Sequence, residues 1–187
     1  KMIGAVKDVT VTRRAAARIQ ALLDLGDRLT QLSDIESMAS AAADLMAKAL
    51  DATRAGFGIV DPVNETVLMQ PQWTAPGITP VTGLHHFRAY GSFINDLKMG
   101  NPVVIPDVTQ DPRTAANAQA LLDLGIRVLV NVPVIDQGNF SLVVFVHHDT
   151  PYQWSNEEIA FVRSFGDRIQ AAIARVRAES EQQLLHR

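Results

Sequence analysis

Two pairs of adjacent histidines carry the side chains of this sequence best suited to chemistry. His85 and His86 sit in "GLHHF", and His147 and His148 close the apolar run "LVVFVHH" just before "DTPYQW". Imidazole exchanges protons near neutral pH and ligates metals. A metal site would need further Cys, Asp or Glu donors at ligand spacing, and none accompanies "GLHHF". Asp107 and Asp111 stand in "DVTQDPRT", a proline-containing loop of the kind that spends such residues on turns. No nucleophile elbow, Walker loop, HExxH or paired-carboxylate pattern occurs. Neither catalysis nor a metal site is therefore expected of this chain.

Composition narrows the class. The 187 residues are 47% hydrophobic and 20% charged, enough for one soluble globular domain with flanking segments. A net charge of −3 gives no overall attraction to nucleic acid or to an anionic membrane. No apolar run approaches the roughly 20 residues of a transmembrane helix. The absence of cysteine excludes disulfides, thiolate metal sites and thioether-linked cofactors within the chain, and it fits a cytoplasmic protein. The first residue is Lys1, so a segment of a longer protein is expected.

The elements that must position these residues follow from periodicity. "MIGAVKDVT" (residues 2 to 10) reads as a strand, and residues 13 to 32 as a helix with Ile19, Leu22, Leu25 and Leu29 in its stripe. "SDIE" offers a capping box from Ser33 to Glu36, opening a helix buried through Met38, Ala42, Met46 and Leu50. "RAGFGIVDP" and "ETVLMQPQW" read as paired strands. A short helix is expected in "FRAYGSFINDLKMG", a strand at "PVVIPDV", and a helix over "DPRTAANAQALLDLG" closed by Gly125. "IRVLVNVPVI" and "FSLVVFVHH" form a hairpin. "SNEE" caps a long last helix from Ser155, which ends in the polar run "RAESEQQLLHR". Strands joined by tight turns, with helices at both ends, imply an α+β layered fold with an antiparallel sheet.

Two resemblances emerge from these stretches. "IGAVKDVTVTRRAAARIQ" resembles the last strand and exit helix of a PAS domain. From about Ser33 to Arg177 the chain resembles a GAF domain, through "AGFGIVD", "PVVIPDVTQDPRT", "GIRVLVNVPVIDQGNFSLVVFVHH" and "WSNEEIAFVRSFGDRIQAAIARVRAE". This implies a GAF-type sandwich. A central antiparallel sheet of five or six strands would carry the first and last helices on one face, with residues 75 to 125 covering a ligand pocket on the other.

The implied organisation is a PAS remnant over residues 1–11, a linker helix over 12–32, the GAF domain over 33–178 and an output linker over 179–187. The tail is similar to the run that precedes the phospho-accepting helix of HWE-type histidine kinases. The implied function is sensory input to a two-component kinase, as a homodimer joined through the terminal helices. Methionine sulfoxide reduction, found in some GAF domains, uses cysteines and is not expected. "HHDTPY" is similar to the corresponding strand end of phytochrome GAF domains, where the first histidine contacts a bilin. Yet the chain has neither the attachment cysteine nor the "DIP" segment. A bilin photosensor and a ligand-free dimerisation module remain the alternatives, and the ligand itself is unread.

The hairpin assigns faces to the histidines. A three-residue "DQG" loop would set Ile135 opposite Asn139, Asn131 opposite Val143 and Arg127 opposite His147. A two-residue "QG" loop would set Asn131 opposite Val144. The first is preferred, because Gln137 suits the opening position of a primed turn poorly. Arg127, Asn131, Ser141 and His147 then share a mixed face that floors the pocket, while Val128, Val130, Val132, Val134, Leu142, Val144 and Val146 meet the helices. His148 becomes a polar cap at the strand exit. Trp73, His85, Phe87, Tyr90 and Phe93, from the region that covers the sheet, and Asp107 complete the expected ligand-binding set.

Overall fold

The structure, a computed structural model, describes the backbone of residues 2–187 and the side chains from Val9 onward. Its first element is a single helix, α1 (Met2–Gln31), where the sequence pattern suggested a strand for residues 2–10. A strand must find a neighbour for its N–H and C=O groups, and this segment has none among the described residues. A helix satisfies those groups within the segment itself.

The next helix, α2 (Ile35–Leu50), starts one residue later than the expected box. Asp34 is its N-cap and accepts a hydrogen bond from the Ser37 amide at 2.8 Å. A carboxylate caps as well as a serine hydroxyl and also complements the positive end of the helix. That amide holds the Asp34 carboxyl below the usual range.

Seven antiparallel strands follow in the order β4-β2-β1-β7-β6-β5, with β3 beside β1. They are β1 (Arg54–Asp61), β2 (Thr66–Met69), β3 (Trp73–Thr74), β4 (Leu84–His86), β5 (Val103–Ile105), β6 (Val128–Asp136) and β7 (Asn139–His148). Two short helices, α3 (Ile94–Lys98) and α4 (Ala118–Asp123), lie between β4 and β6, and α5 (Asn156–Leu185) ends the chain. The expected capping box is present at the start of α5, with Ser155 and Glu158 each satisfying the other's amide. Among the described residues no helix is long and apolar enough to cross a membrane.

Strand alternation divides the sheet into two faces. Val128, Val130, Val132, Val134, Leu142, Val144 and Val146 pack with α1, α2 and α5 in one core. Leu129, Val143, Val60 and Val67 pack with α3, α4 and the intervening loops in a second. The α+β arrangement expected from sequence is thus observed, with seven strands where five or six were expected and with α2 joining the terminal helices on their face. Arg175 of α5 donates to the carbonyls of Leu29 and Leu32 at the end of α1, at 2.9 and 3.2 Å. Arg14 and Arg18, nearer the start of α1, share a groove with Glu158 in the first turn of α5. The two long helices therefore run in the same direction.

The hairpin register differs from the expected one. The loop is the two-residue Gln137–Gly138 turn, both residues left-handed (φ 50° and 81°), and Asp136 pairs with Asn139. Ile135 pairs with Phe140 but Val134 with Leu142, so Ser141 is an extra residue that bulges from β7. Asn131 consequently faces Phe145, and Leu129 faces His147. The total slip from the expected pairing is two residues, which leaves every later side chain on its expected face. Ser141 itself leaves the pocket side. Its Oγ lies 3.3 Å from Gln170 of α5 and from the Val134 carbonyl.

Candidate functional site

An apolar cavity of about 60 Å³ lies on the sheet face opposite the helices. Its floor is Leu129 and Asn131 of β6, Val143, Phe145 and His147 of β7, and Val67 and Met69 of β2. Its roof comes from Val81, His85, Phe87 and Tyr90 on one side and Leu121, Leu124 and Ile126 on the other. Glycine at position 56 of β1 makes room for the floor. A Cβ there would lie 2.9 Å from Gln72 Cβ and 3.0 Å from Phe145 Cζ. The Phe145 ring stacks on the His147 ring with centroids 4.9 Å apart.

Polar groups punctuate this apolar wall at two points. His85 bridges the Thr82 carbonyl and the Tyr90 hydroxyl, at 2.7 Å each. A carbonyl can only accept, so Nε2 carries a proton and donates to Thr82. At the other point, Arg54 Nη1 lies 3.1 Å from His147 Nδ1. A guanidinium only donates, so Nδ1 accepts and the His147 proton sits on Nε2. Burial foremost, then the charges of Arg54 and His148, push His147 well below its ordinary pKa. It is a neutral imidazole with one donor to offer.

Arg54 was not foreseen from sequence. As the first residue of a strand it reads as an exposed flank, yet only 1% of it reaches solvent. Nη2 donates to the carbonyls of Thr79 and Leu124 at 2.6 and 2.7 Å. Burial lowers its pKa to about 10, still well above neutral, so the side chain is a buried cation. One signal for it was present: Arg54, Gly56 and Gly58 alternate with Ala55, Phe57 and Ile59, which places Arg54 on the same face as His147.

The sequence profile of the GAF domain matches residues 34–173. The chain belongs to the GAF family. No curated protein matches it. Among solved structures, a phycoerythrobilin-bound GAF domain from a cyanobacterial phytochrome superposes with a TM-score of 0.76, covering 87% of this chain and 97% of its own at 15% identity. The GAF domain of a phosphoenolpyruvate-protein phosphotransferase from Coxiella burnetii gives 0.71, with 89% and 98% covered at 17% identity. Free methionine-R-sulfoxide reductase from Neisseria meningitidis, in complex with its substrate, gives 0.65, with 87% and 93% covered at 18% identity. At these identities the likeness is one of fold. GAF domains are a sensory and regulatory family.

Of the residues expected to bind a ligand in this GAF domain, His85, Phe87, Tyr90, Asn131 and His147 line the cavity. Arg127 does not stand beside His147. Its guanidinium pairs with Asp107, at 3.0 Å from Nε to Oδ1 and 3.1 Å from Nη2 to Oδ2, because β5 delivers that acid to the end of β6. The amide and hydroxyl of Thr109 hold the Asp107 carboxyl below its usual range. Arg127 and Asp107 thus pin β5 and its loop to β6, outside the cavity wall. Phe93 is buried behind Phe87, edge to face at 6.2 Å. Trp73 packs toward the helix side, because β3 pairs it with Ala55, a residue of that face.

His148 is no solvated cap either. It stacks on Tyr152 and lies tilted against Trp154, with centroids 4.8 and 5.2 Å away, on the face shared with α1 and α5. His86 is exposed on the edge strand. Among the described residues no group of three His, Asp or Glu side chains could hold a metal ion.

Proposed function

We propose that this GAF domain is the signal-input unit of a sensor histidine kinase of a two-component system, binding a small ligand in the cavity above β6 and β7. The observation that carries the reading is how little separates that cavity from the long terminal helix. Leu129, Asn131, Val143, Phe145 and His147 face the cavity, while the alternate residues of the same strands face α5. At Gly166 of α5 a single added Cβ would lie 2.8 Å from Val134 and 3.0 Å from Val144. A displacement of the strands by a ligand is therefore felt at once by the helix, since close-packed interiors have no slack to absorb it. The tail's similarity to HWE-type kinases supplies the proposed output, and the parallel course of α1 and α5 suits a parallel homodimer joined through those helices.

The alternative of a bilin, anchored by a cysteine upstream of Lys1, draws less support from this chain. The chain has no cysteine and no "DIP" segment. The cavity of about 60 Å³ is far below the roughly 300–1,000 Å³ of pockets that enclose larger organic ligands. Native mass spectrometry of protein purified from its own host tests the ligand reading. A small molecule should travel with the wild type and be absent from Val143→Trp, and its addition should change amide exchange in α5. Identical spectra for the two proteins, with α5 exchange indifferent to every compound of a metabolite library, would defeat the proposal.

A further inference from the structure

We infer that Arg54 anchors a small carboxylate with an apolar body, the carboxylate taking the guanidinium donors that two backbone carbonyls now occupy. This rests on the ligand-binding reading above and narrows its chemical class. The argument starts from charge. Arg54 is buried, and its hydrogen-bond partners are the Thr79 and Leu124 carbonyls and His147 Nδ1, none of them an acid. Its Nε is buried with no partner at all. Buried cations ordinarily sit against an anion, because desolvation is otherwise uncompensated. The idle Nε–H, together with a neighbouring Nη2 donor released from its carbonyl, offers the fork that a carboxylate fills with two parallel hydrogen bonds.

Position agrees with charge. Outside the cavity lies a groove of about 310 Å³, lined by residues 77–81, Arg54 and residues 122–125. Val81 and Leu124 line both compartments, and Arg54 joins them by lining the groove while touching His147 of the cavity. Its bonds to Thr79 and Leu124 tie the two lips of that groove together. The lip at 77–81 is also held at Val81, where the Gln72 side chain both donates to and accepts from the backbone at 2.6 and 2.9 Å, and at Ile78, whose amide donates to the Ala75 carbonyl at 3.0 Å. A carboxylate entering by the groove would meet Arg54 first and leave its apolar body against Phe145 and Leu129. Asp123 is the one acid lining the groove. Its carboxylate accepts from Gln119 at 2.8 Å, and its charge opposes an incoming anion.

The test uses the full 187-residue chain, titrated calorimetrically with butyrate and benzoate and with their neutral amides. Each carboxylate should bind about tenfold more tightly than its amide. Arg54→Met should remove that preference, bringing each carboxylate level with its amide, and Arg54→Lys should keep part of it. Asp123→Asn, on the exposed side of α4, should tighten carboxylate binding by about two- to threefold and leave the amides alone. Amides that bind as well as carboxylates, lost together in Val143→Trp, would overturn the anchor and leave the pocket standing. No binding of any of the four at about 10 mM, with the Arg54 Nε–H resonance unmoved, would remove both.

Discussion

Arg54 stands directly opposite His147 in the pairing of β1 with β7, and the two side chains meet at 3.1 Å on the cavity side of the sheet. The contact fixes a proton as well as a distance. Protonating His147 at Nδ1 would remove the acceptor that Arg54 uses and place a second cation beside the first, both shielded from water. The folded protein therefore holds this imidazole neutral at pH values where an exposed histidine is charged.

That difference makes stability depend on pH with a defined sign. An unfolded histidine takes up a proton near pH 6.5, while folded His147, its pKa pushed far down, does not. Below pH 6.5 the unfolded state binds more protons, so stability falls as pH falls, by up to ~1.4 kcal/mol per unit until the folded pKa is reached. Above that pH the residue adds no slope. His148, lowered by burial against the opposing pull of Asp51, Asp149 and Glu158, acts in the same direction. Urea unfolding at pH 7.5, 6.5 and 5.5 should show the decline, and His147→Gln, which keeps an acceptor for Arg54, should flatten much of it. Parallel curves for wild type and variant would show that His147 is not the group responsible.

The hairpin shows what sequence patterning reveals and where it stops. Alternation in "VLVNVPV" and "LVVFVHH" assigned the aliphatic residues to the helices and His147 to the opposite side, because a half-buried strand must repeat every two residues. The pairing register followed a different determinant. Gln137 takes the left-handed conformation that its side chain disfavours, and the bulge at Ser141 then adds the missing residue. Neither leaves a compositional mark. Gln137→Asn should therefore stabilise the protein by about 0.5–1 kcal/mol, since asparagine tolerates that conformation better. Gly138→Ala, at φ 81°, should cost about 1 kcal/mol or more. Chemical denaturation of the two variants checks both signs.

The candidate site divides along the same line. Asn131, His147, His85 and Tyr90 were legible because strand faces and local aromatic spacing are written in neighbouring residues. Arg54 was not, since its burial depends on carbonyls 25 and 70 positions away in two loops. Arg127 was misplaced for the converse reason, drawn off by an acid 20 positions distant.

Removing residues 2–11 should leave the core intact. Val9, Thr10 and Val11 are exposed, and among the described side chains of α1 Ala21 is the first to be buried. The exposed end of a helix adds little to the stability of the core it extends from. The thermal midpoint should fall by less than about 3 °C, which is roughly 1 kcal/mol for a domain of this size. A larger drop would mean that the first turns of α1 pack on something, a second chain included, and light scattering on the same sample would show which.

Two helical glycines predict opposite outcomes for one substitution. Gly26 lies within α1 with no atom within 4 Å of where a Cβ would stand. Alanine there restricts the unfolded chain and should add about 0.5–1 kcal/mol. Gly166 lies in α5 against the sheet, where the same Cβ would come 2.8 Å from Val134 and 3.0 Å from Val144. Alanine there gains the same helical propensity but forces α5 away from the strands that floor the cavity, an overpacking cost of about 1–3 kcal/mol. Gly166→Ala should therefore lower the thermal midpoint while Gly26→Ala raises it. Because Gly166 touches strands whose other face lines the cavity, its substitution should also change the exchange of β6 and β7 amides. If Gly166→Ala proved as stabilising as Gly26→Ala, α5 would be free to move without disturbing the sheet, and the proposed route from cavity to helix would lose its physical basis.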